Sequence, residues 1–123
     1  MSDFLKRNKC LVAFVLAALG AGGCAAPGRS PAVPIFARDV KPLFERRCTR
    51  CHGSDADLQG GLDLRGLCMI LAGGRSGPAV VPGEPEESLL FQMITNDEMP
   101  AEGEGLSVRE RDRVRRWIAG GAK

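Results

Sequence analysis

The pentapeptide Cys48-Thr49-Arg50-Cys51-His52 constrains this chain more than any other feature, and His52 is its only histidine. Two cysteines separated by two residues and followed by histidine form the attachment pattern of c-type haem. In that pattern each thiol adds to one vinyl group of the porphyrin, and the imidazole ligates the iron. Because a second histidine is missing, a bis-histidine iron is excluded. The sixth ligand must therefore be methionine, an unusual group or nothing.

Three methionines of the predicted domain compete for the sixth position. Met69 and Met93 lie in apolar stretches with helical spacing, where a methionine usually fills a core. Met99 lies in a polar loop, and Pro100 restricts the backbone beside it. The sequence therefore predicts Met99 as the second axial ligand. Imidazole with thioether raises the reduction potential and leaves no vacant position, which favours one-electron transfer over an enzymatic reaction.

A zinc site is an alternative reading of the cysteines, since Cys48, Cys51, His52 and Cys68 supply four ligands. However, His52 directly follows Cys51, which is a poor arrangement for closing one tetrahedron. We expect Cys68 to be a small buried side chain, with unusual iron ligation or a reactive thiol as the alternatives.

The first 23 residues have the pattern of a secretory signal. A basic head precedes an apolar run over residues 10–19, about half of the roughly 20 residues that a membrane-spanning helix requires. Small residues then lead to Cys24, as at the lipidation site of bacterial lipoproteins, although Ala21 replaces the usual leucine. Ordinary cleavage, for example after Ala26, is the alternative. Either route predicts an exported protein, periplasmic or tethered to a membrane by lipid.

Residues 24–35 are rich in proline, alanine and glycine, which predicts a flexible tether before a domain at residues 36–123. From Cys24 onward the chain has 14 basic and 14 acidic residues, so the exported form is neutral before haem propionates are added. This balance gives no indication of nucleic-acid binding. Partner choice would then depend on local charge.

The spacing of apolar residues predicts an all-α domain without strands. A first helix, capped by Asp39, runs into Cys48, and a short apolar stretch spans residues 67–71. A third helix begins near Glu86. Ser107 and Glu110 form a capping box for the last helix. The apolar faces of the first, third and last helices consist of Phe36, Val40, Leu43 and Phe44; Leu89, Leu90, Met93 and Ile94; and Val114, Trp117 and Ile118.

The second imidazole nitrogen of His52 should donate to a backbone carbonyl, because such a bond fixes the orientation of the ring. The Gly77-Pro78 turn is our candidate for the acceptor. Arg75 is a candidate partner for a haem propionate, with solvated surface charge as the alternative. We expect Trp117 to pack between the first and last helices rather than bond a propionate.

These motifs resemble the planctomycete-type cytochrome c domain, a branch of the class I cytochrome c superfamily. The resemblance covers about Val40 to Ala122, with the matching segments at 42–48, 51–53, 60–64, 77–83, 85–90, 99–100 and 115–118. It implies a small all-helical fold around one haem c, with His52 and Met99 as axial ligands. Arg111 and Arg113 depart from it, because they occupy positions that are usually apolar in this family's last helix.

We therefore expect a monohaem cytochrome c that exchanges electrons with a redox-protein donor and acceptor, and that is not itself an enzyme. It would contact a membrane only through a lipid on Cys24. The alternative is a small-ligand sensor or peroxidase-like module in which Met99 leaves the iron.

Overall fold

The structure is a computed structural model that describes residues 32–53 and 58–123. The predicted signal peptide, the candidate lipidation site Cys24 and most of the predicted tether lie outside these residues. The described part of the chain has five α-helices: α1 Lys41–Arg47, α2 Thr49–His52, α3 Leu67–Ala72, α4 Leu89–Thr95 and α5 Val108–Ala119. The described residues contain no strand, only one isolated bridge between Gly74 and Gly77. The predicted all-α fold is confirmed.

A single wide turn, Phe36–Val40, precedes α1 and changes the predicted start of the first helix. In this π-helical turn the Lys41 N–H donates to the Phe36 carbonyl five residues earlier. Pro42 follows and has no N–H, and its ring would crowd the carbonyl four residues before it in a regular helix. The prediction that Asp39 caps the helix is therefore wrong. Asp39 lies inside the turn, and its Oδ2 accepts the N–H of Ile35 at 2.7 Å.

The short helix α3 buries Ile70 but leaves two neighbours in solvent. Cys68 is exposed, and Met69 is 41% exposed, so the predictions that both side chains are buried are wrong. The helix has only six residues between Gly66 and Gly73, and one turn and a half offers a single narrow face to the core. An apolar stretch of that length cannot bury every side chain it contains.

Helix α4 begins three residues later than predicted, because Ser88 takes part in the preceding loop. Ser88 is fully buried. Its hydroxyl accepts the N–H of Val81 at 2.9 Å and donates to the carbonyl of Glu84 at 2.8 Å. The backbone of Ser88 is accordingly extended, and residues 85–87 form a turn. This bonding joins the proline-rich loop to the start of α4.

Helix α5 closes the core against the first helix. The predicted capping box between Ser107 and Glu110 is present, and Val114, Trp117 and Ile118 are completely buried as predicted. The Trp117 ring packs against Phe36 and Phe44, with ring centroids 5.7 Å and 6.1 Å away. Its indole N–H donates to the Lys123 carbonyl at 3.1 Å. The packing role predicted for Trp117 is confirmed.

Packing extends into residues 32–35, which the sequence analysis assigns to the tether. Pro34 is buried, and Arg116 of α5 donates to the carbonyl of Ala32 at 2.5 Å. In the described part of the chain, no helix is both long and apolar enough to cross a membrane.

Candidate haem site

One cavity of about 640 Å³ brings together all four residues predicted to hold the haem, since Cys48, Cys51, His52 and Met99 line its wall. The cysteines and the histidine come from the α1–α2 corner, and Met99 comes from the loop after α4. The apolar part of the wall includes Leu62, Leu64, Ala79, Leu90, Ile94 and Leu106.

The α1–α2 corner presents both thiols from one helical turn. The N–H groups of Cys51 and His52 donate to the Cys48 carbonyl at 3.1 Å and 2.9 Å, so the pentapeptide forms one helical turn that begins at Cys48. Side chains three residues apart share a helix face, which brings the two thiols to the same cavity. Cys51 is exposed, and Cys48 is half-buried. Burial raises the pKa of the Cys48 thiol to about 11, and the nearby Arg47 charge opposes that rise.

The ring of His52 is held by a backbone carbonyl, as expected, but by a different one. Its Nδ1 lies 2.9 Å from the Gln59 carbonyl oxygen, so Gly77-Pro78 is not the acceptor. A carbonyl can only accept, which means that Nδ1 carries the proton and Nε2 keeps its lone pair available for a ligand bond. The acceptor comes from the tight turn Gln59–Gly61 soon after the pentapeptide. The spacing of apolar residues does not predict a short turn of this kind.

Met99 lies in a loop without secondary structure, residues 96–106, called here the Met99 loop. Its backbone N–H donates to the Met93 carbonyl at 3.1 Å, and its half-buried side chain packs against the core. Met93 is also half-buried and lines the cavity, whereas Met69 does not. Two of the three candidate methionines thus reach the predicted iron site.

Three arginines around the pentapeptide line the cavity: Arg46, Arg47 and Arg50. The sequence analysis did not identify these arginines as site residues, although their positions beside Cys48 and Cys51 indicate that they lie near the haem motif. Arg75, the predicted propionate partner, is exposed and lies outside this wall.

Arg47 and Arg50 both contact the Met99 loop. Arg47 Nη2 donates to the carbonyls of Glu104 and Gly105 at 2.6 Å and 2.8 Å. Arg50 Nη2 lies 2.6 Å from a carboxylate oxygen of Glu102. Both contacts join the helical corner that carries His52 to the loop that carries Met99.

The donor set and the wall fit a haem better than a metal ion alone. Two thiols, an imidazole with Nε2 available and a thioether face one apolar cavity, and these are the groups that c-type haem uses. Within residues 32–53 and 58–123, no three His, Cys, Asp or Glu side chains gather closely enough to hold a metal ion. Cys68, the fourth ligand of the zinc alternative, is exposed on α3.

Comparison with known proteins supports the same assignment. Residues 48–103 match the family described as Planctomycete cytochrome C. Searches of curated proteins and of solved structures found no match to the chain. The matched segment begins at the first thiol of the pentapeptide and includes both His52 and Met99. Over residues 48–103 the chain is therefore similar to the planctomycete cytochrome C family.

Proposed function

We propose that this protein is a monohaem cytochrome c that transfers single electrons between redox proteins, with Cys48 and Cys51 attaching the haem and His52 and Met99 ligating its iron. The observation that carries the proposal is the convergence of these four side chains on one cavity whose wall is otherwise largely apolar. A bound haem would supply an iron that alternates between two oxidation states.

The residues of this chain have separate tasks in that function. Cys48 and Cys51 fix the haem edge to the α1–α2 corner. The Gln59 carbonyl holds the His52 ring by accepting from Nδ1, which keeps Nε2 directed to its ligand position. Leu64, Leu90 and Ile94 give the cavity an apolar wall that would limit the access of water to a bound haem, and limited solvent access reduces solvent reorganisation when charge changes. The function requires no acid, base or nucleophile.

The rim of the cavity carries both signs of charge, which suits brief encounters with a redox partner. Arg46 and Arg50 belong to the α1–α2 corner, and Glu102 and Glu104 belong to the Met99 loop. All four are exposed. Electron-transfer complexes are typically small and weak. We therefore propose redox proteins as donor and acceptor.

Spectroscopy of the exported protein tests this function. Ligation by Met99 should give the ferric protein a weak near-infrared band from sulfur, and the ferrous spectrum should not change under carbon monoxide. Rapid binding of carbon monoxide, without the sulfur band, would instead support the sensor or peroxidase-like alternative.

We further propose that the protein is exported and held at a membrane by a lipid on Cys24. The support is the sequence pattern of residues 1–24 and the tether-like composition that follows. The Cys24→Ala variant should move from the membrane fraction to the soluble fraction and keep its haem. Cys68→Ala is a matched control, and membrane retention of the Cys24 variant would contradict the lipid anchor.

A further inference from the structure

We infer that Arg47 is a positioning residue for Met99: it holds the Met99 loop against the His52-bearing corner and thereby sets how readily the sulfur leaves the iron. The inference rests on the proposed function, because it assumes that Met99 is the axial ligand. It goes beyond that function by naming the contact that governs the ligand.

The first step is that the loop depends on arginines for its attachment to the rest of the domain. Its own backbone bonds to a neighbouring helix all lie at its first residues: Asn96 donates to the Gln92 carbonyl at 2.9 Å, and Glu98 and Met99 donate to the Met93 carbonyl at 2.9 Å and 3.1 Å. Arg111 of α5 joins the two ends of the loop, here called the Arg111 neck. It donates to the carbonyls of Thr95 and Leu106 at 3.2 Å and 2.8 Å and pairs with Asp97. The segment between these ends is then held by Arg47 and Arg50.

The second step separates the two arginines by burial. The pair between Arg50 and Glu102 is open to water, with side chains 83% and 73% exposed. Exposed pairs of this kind contribute little and are screened by salt. Arg47 is half-buried, and its bond to Gly105 is partly enclosed. A charged donor bound to carbonyls in such a place is stronger, and salt weakens it far less.

The third step is that the Arg47 side chain is confined. Its Nε is buried and is the one such side-chain atom without a hydrogen-bond partner among the residues that the structure describes. Glu110, at the start of α5, is close enough for Arg47 to contribute to lowering its pKa, after the larger effects of its bonds to Ser107. The inner part of the guanidinium thus lies between the corner, the loop and α5, while its bond to the Glu104 carbonyl faces solvent.

The consequence concerns the iron ligand. Two bonds from one half-buried guanidinium end at Glu104 and Gly105, five and six residues after Met99 in the same loop. When these bonds break, the segment between the Met93 contact and the Arg111 neck is free to lift. Met99 lies at the fixed end of that segment, so its sulfur would then be held only through the Met93 contact and would leave the iron more readily, while His52 would remain.

The experiment compares Arg47→Met, Arg47→Lys and the matched control Arg50→Met in the exported haem protein. The readouts are the near-infrared sulfur band of the ferric form and its titration with imidazole, which competes for the Met99 position. Loss of two charge-assisted bonds should raise imidazole affinity by about tenfold or more in Arg47→Met. Arg47→Lys keeps the charge and should recover part of the effect, while Arg50→Met should resemble the wild type.

A salt titration of the wild type needs no substitution and remains informative if Arg47→Met fails to fold. Ligation governed by Arg47 should leave imidazole affinity nearly constant between low and high ionic strength, whereas control by the Arg50–Glu102 pair would raise it with salt.

The result against the inference is an Arg47→Met protein that binds imidazole like the wild type, or an equal rise in both methionine variants. If the wild type itself lacks the sulfur band, the proposed function fails first, and the inference falls with it.

Discussion

At the scale of single residues, the site depends on which sulfur faces the cavity. Met69 is excluded by its exposure on α3, while Met93 and Met99 both line the wall. Met93 belongs to α4, so its backbone is fixed by helix bonds. Met99 lies in a loop held by side-chain contacts, and its own N–H donates to the Met93 carbonyl.

We predict that Met99→Ala abolishes the near-infrared sulfur band, lowers the reduction potential and admits carbon monoxide to the ferrous iron. The physical reason is that removal of the thioether takes away a ligand that favours the reduced iron and opens a coordination position. Met69→Ala is the control and should leave all three readouts unchanged. A sulfur band that survives in Met99→Ala would assign the ligand to Met93.

Ser88 shows how one buried polar residue can set the start of an element. Its hydroxyl satisfies groups of both Val81 and Glu84, and no water can replace it at full burial. We predict that Ser88→Ala lowers the free energy of unfolding by about 1–3 kcal/mol, because two partly buried backbone groups lose their partner. Urea unfolding measures this change. Thr95→Ala is the comparison at a more exposed hydroxyl of the same helix, and an equal loss there would contradict the role given to Ser88.

At the scale of elements, the start of α5 makes stability depend on pH. Accepting the backbone N–H of Ser107 lowers the pKa of Glu110 in the folded protein. A carboxyl with a lowered folded pKa contributes stability above its unfolded pKa, about 4.3, and loses that contribution as pH falls through the folded value. The helix is therefore expected to weaken in acid.

We predict that Glu110→Gln lowers the free energy of unfolding by about 0.3–1 kcal/mol at pH 7 and flattens its decline between about pH 5 and pH 3. The amide keeps a hydrogen-bond acceptor but has no charge to lose. Urea unfolding at several pH values measures both effects. Glu87→Gln, at an exposed turn residue, is the control. A wild-type slope in Glu110→Gln would show that another carboxyl carries the acid dependence.

At the scale of the whole molecule, the first and last helices share one aromatic core. Trp117 is completely buried between Phe36 and Phe44 and joins α5 to the Lys123 carbonyl. We predict that Trp117→Ala lowers the free energy of unfolding by about 3–5 kcal/mol, because it leaves a large cavity. Trp117→Phe should lose much less, since it keeps most of the apolar volume. Equal losses in denaturant unfolding would mean that the indole bond, and not packing, matters most.

The elements that follow from local chemistry were predictable, as α5 shows: its capping box and apolar stripe are both in the sequence. The residues of the haem motif were equally visible, and the structure brings them to one cavity with Met99. The tertiary contacts of the site could not be predicted from the sequence. Neither the Gln59 acceptor of His52 nor the arginines that hold the Met99 loop can be inferred from periodicity, because each contact joins a side chain to a group in an irregular segment, and the arginine contacts are also distant in sequence.

The covalent attachment of haem through Cys48 and Cys51 is the claim on which the rest depends, and peptide mass spectrometry tests it most directly. Digestion of the exported protein should yield one fragment containing residues 48–52 with the added mass of a single haem. The Cys48→Ala, Cys51→Ala double variant should yield none. A colourless wild-type protein whose fragment carries two free thiols, or retains only zinc, would contradict the account.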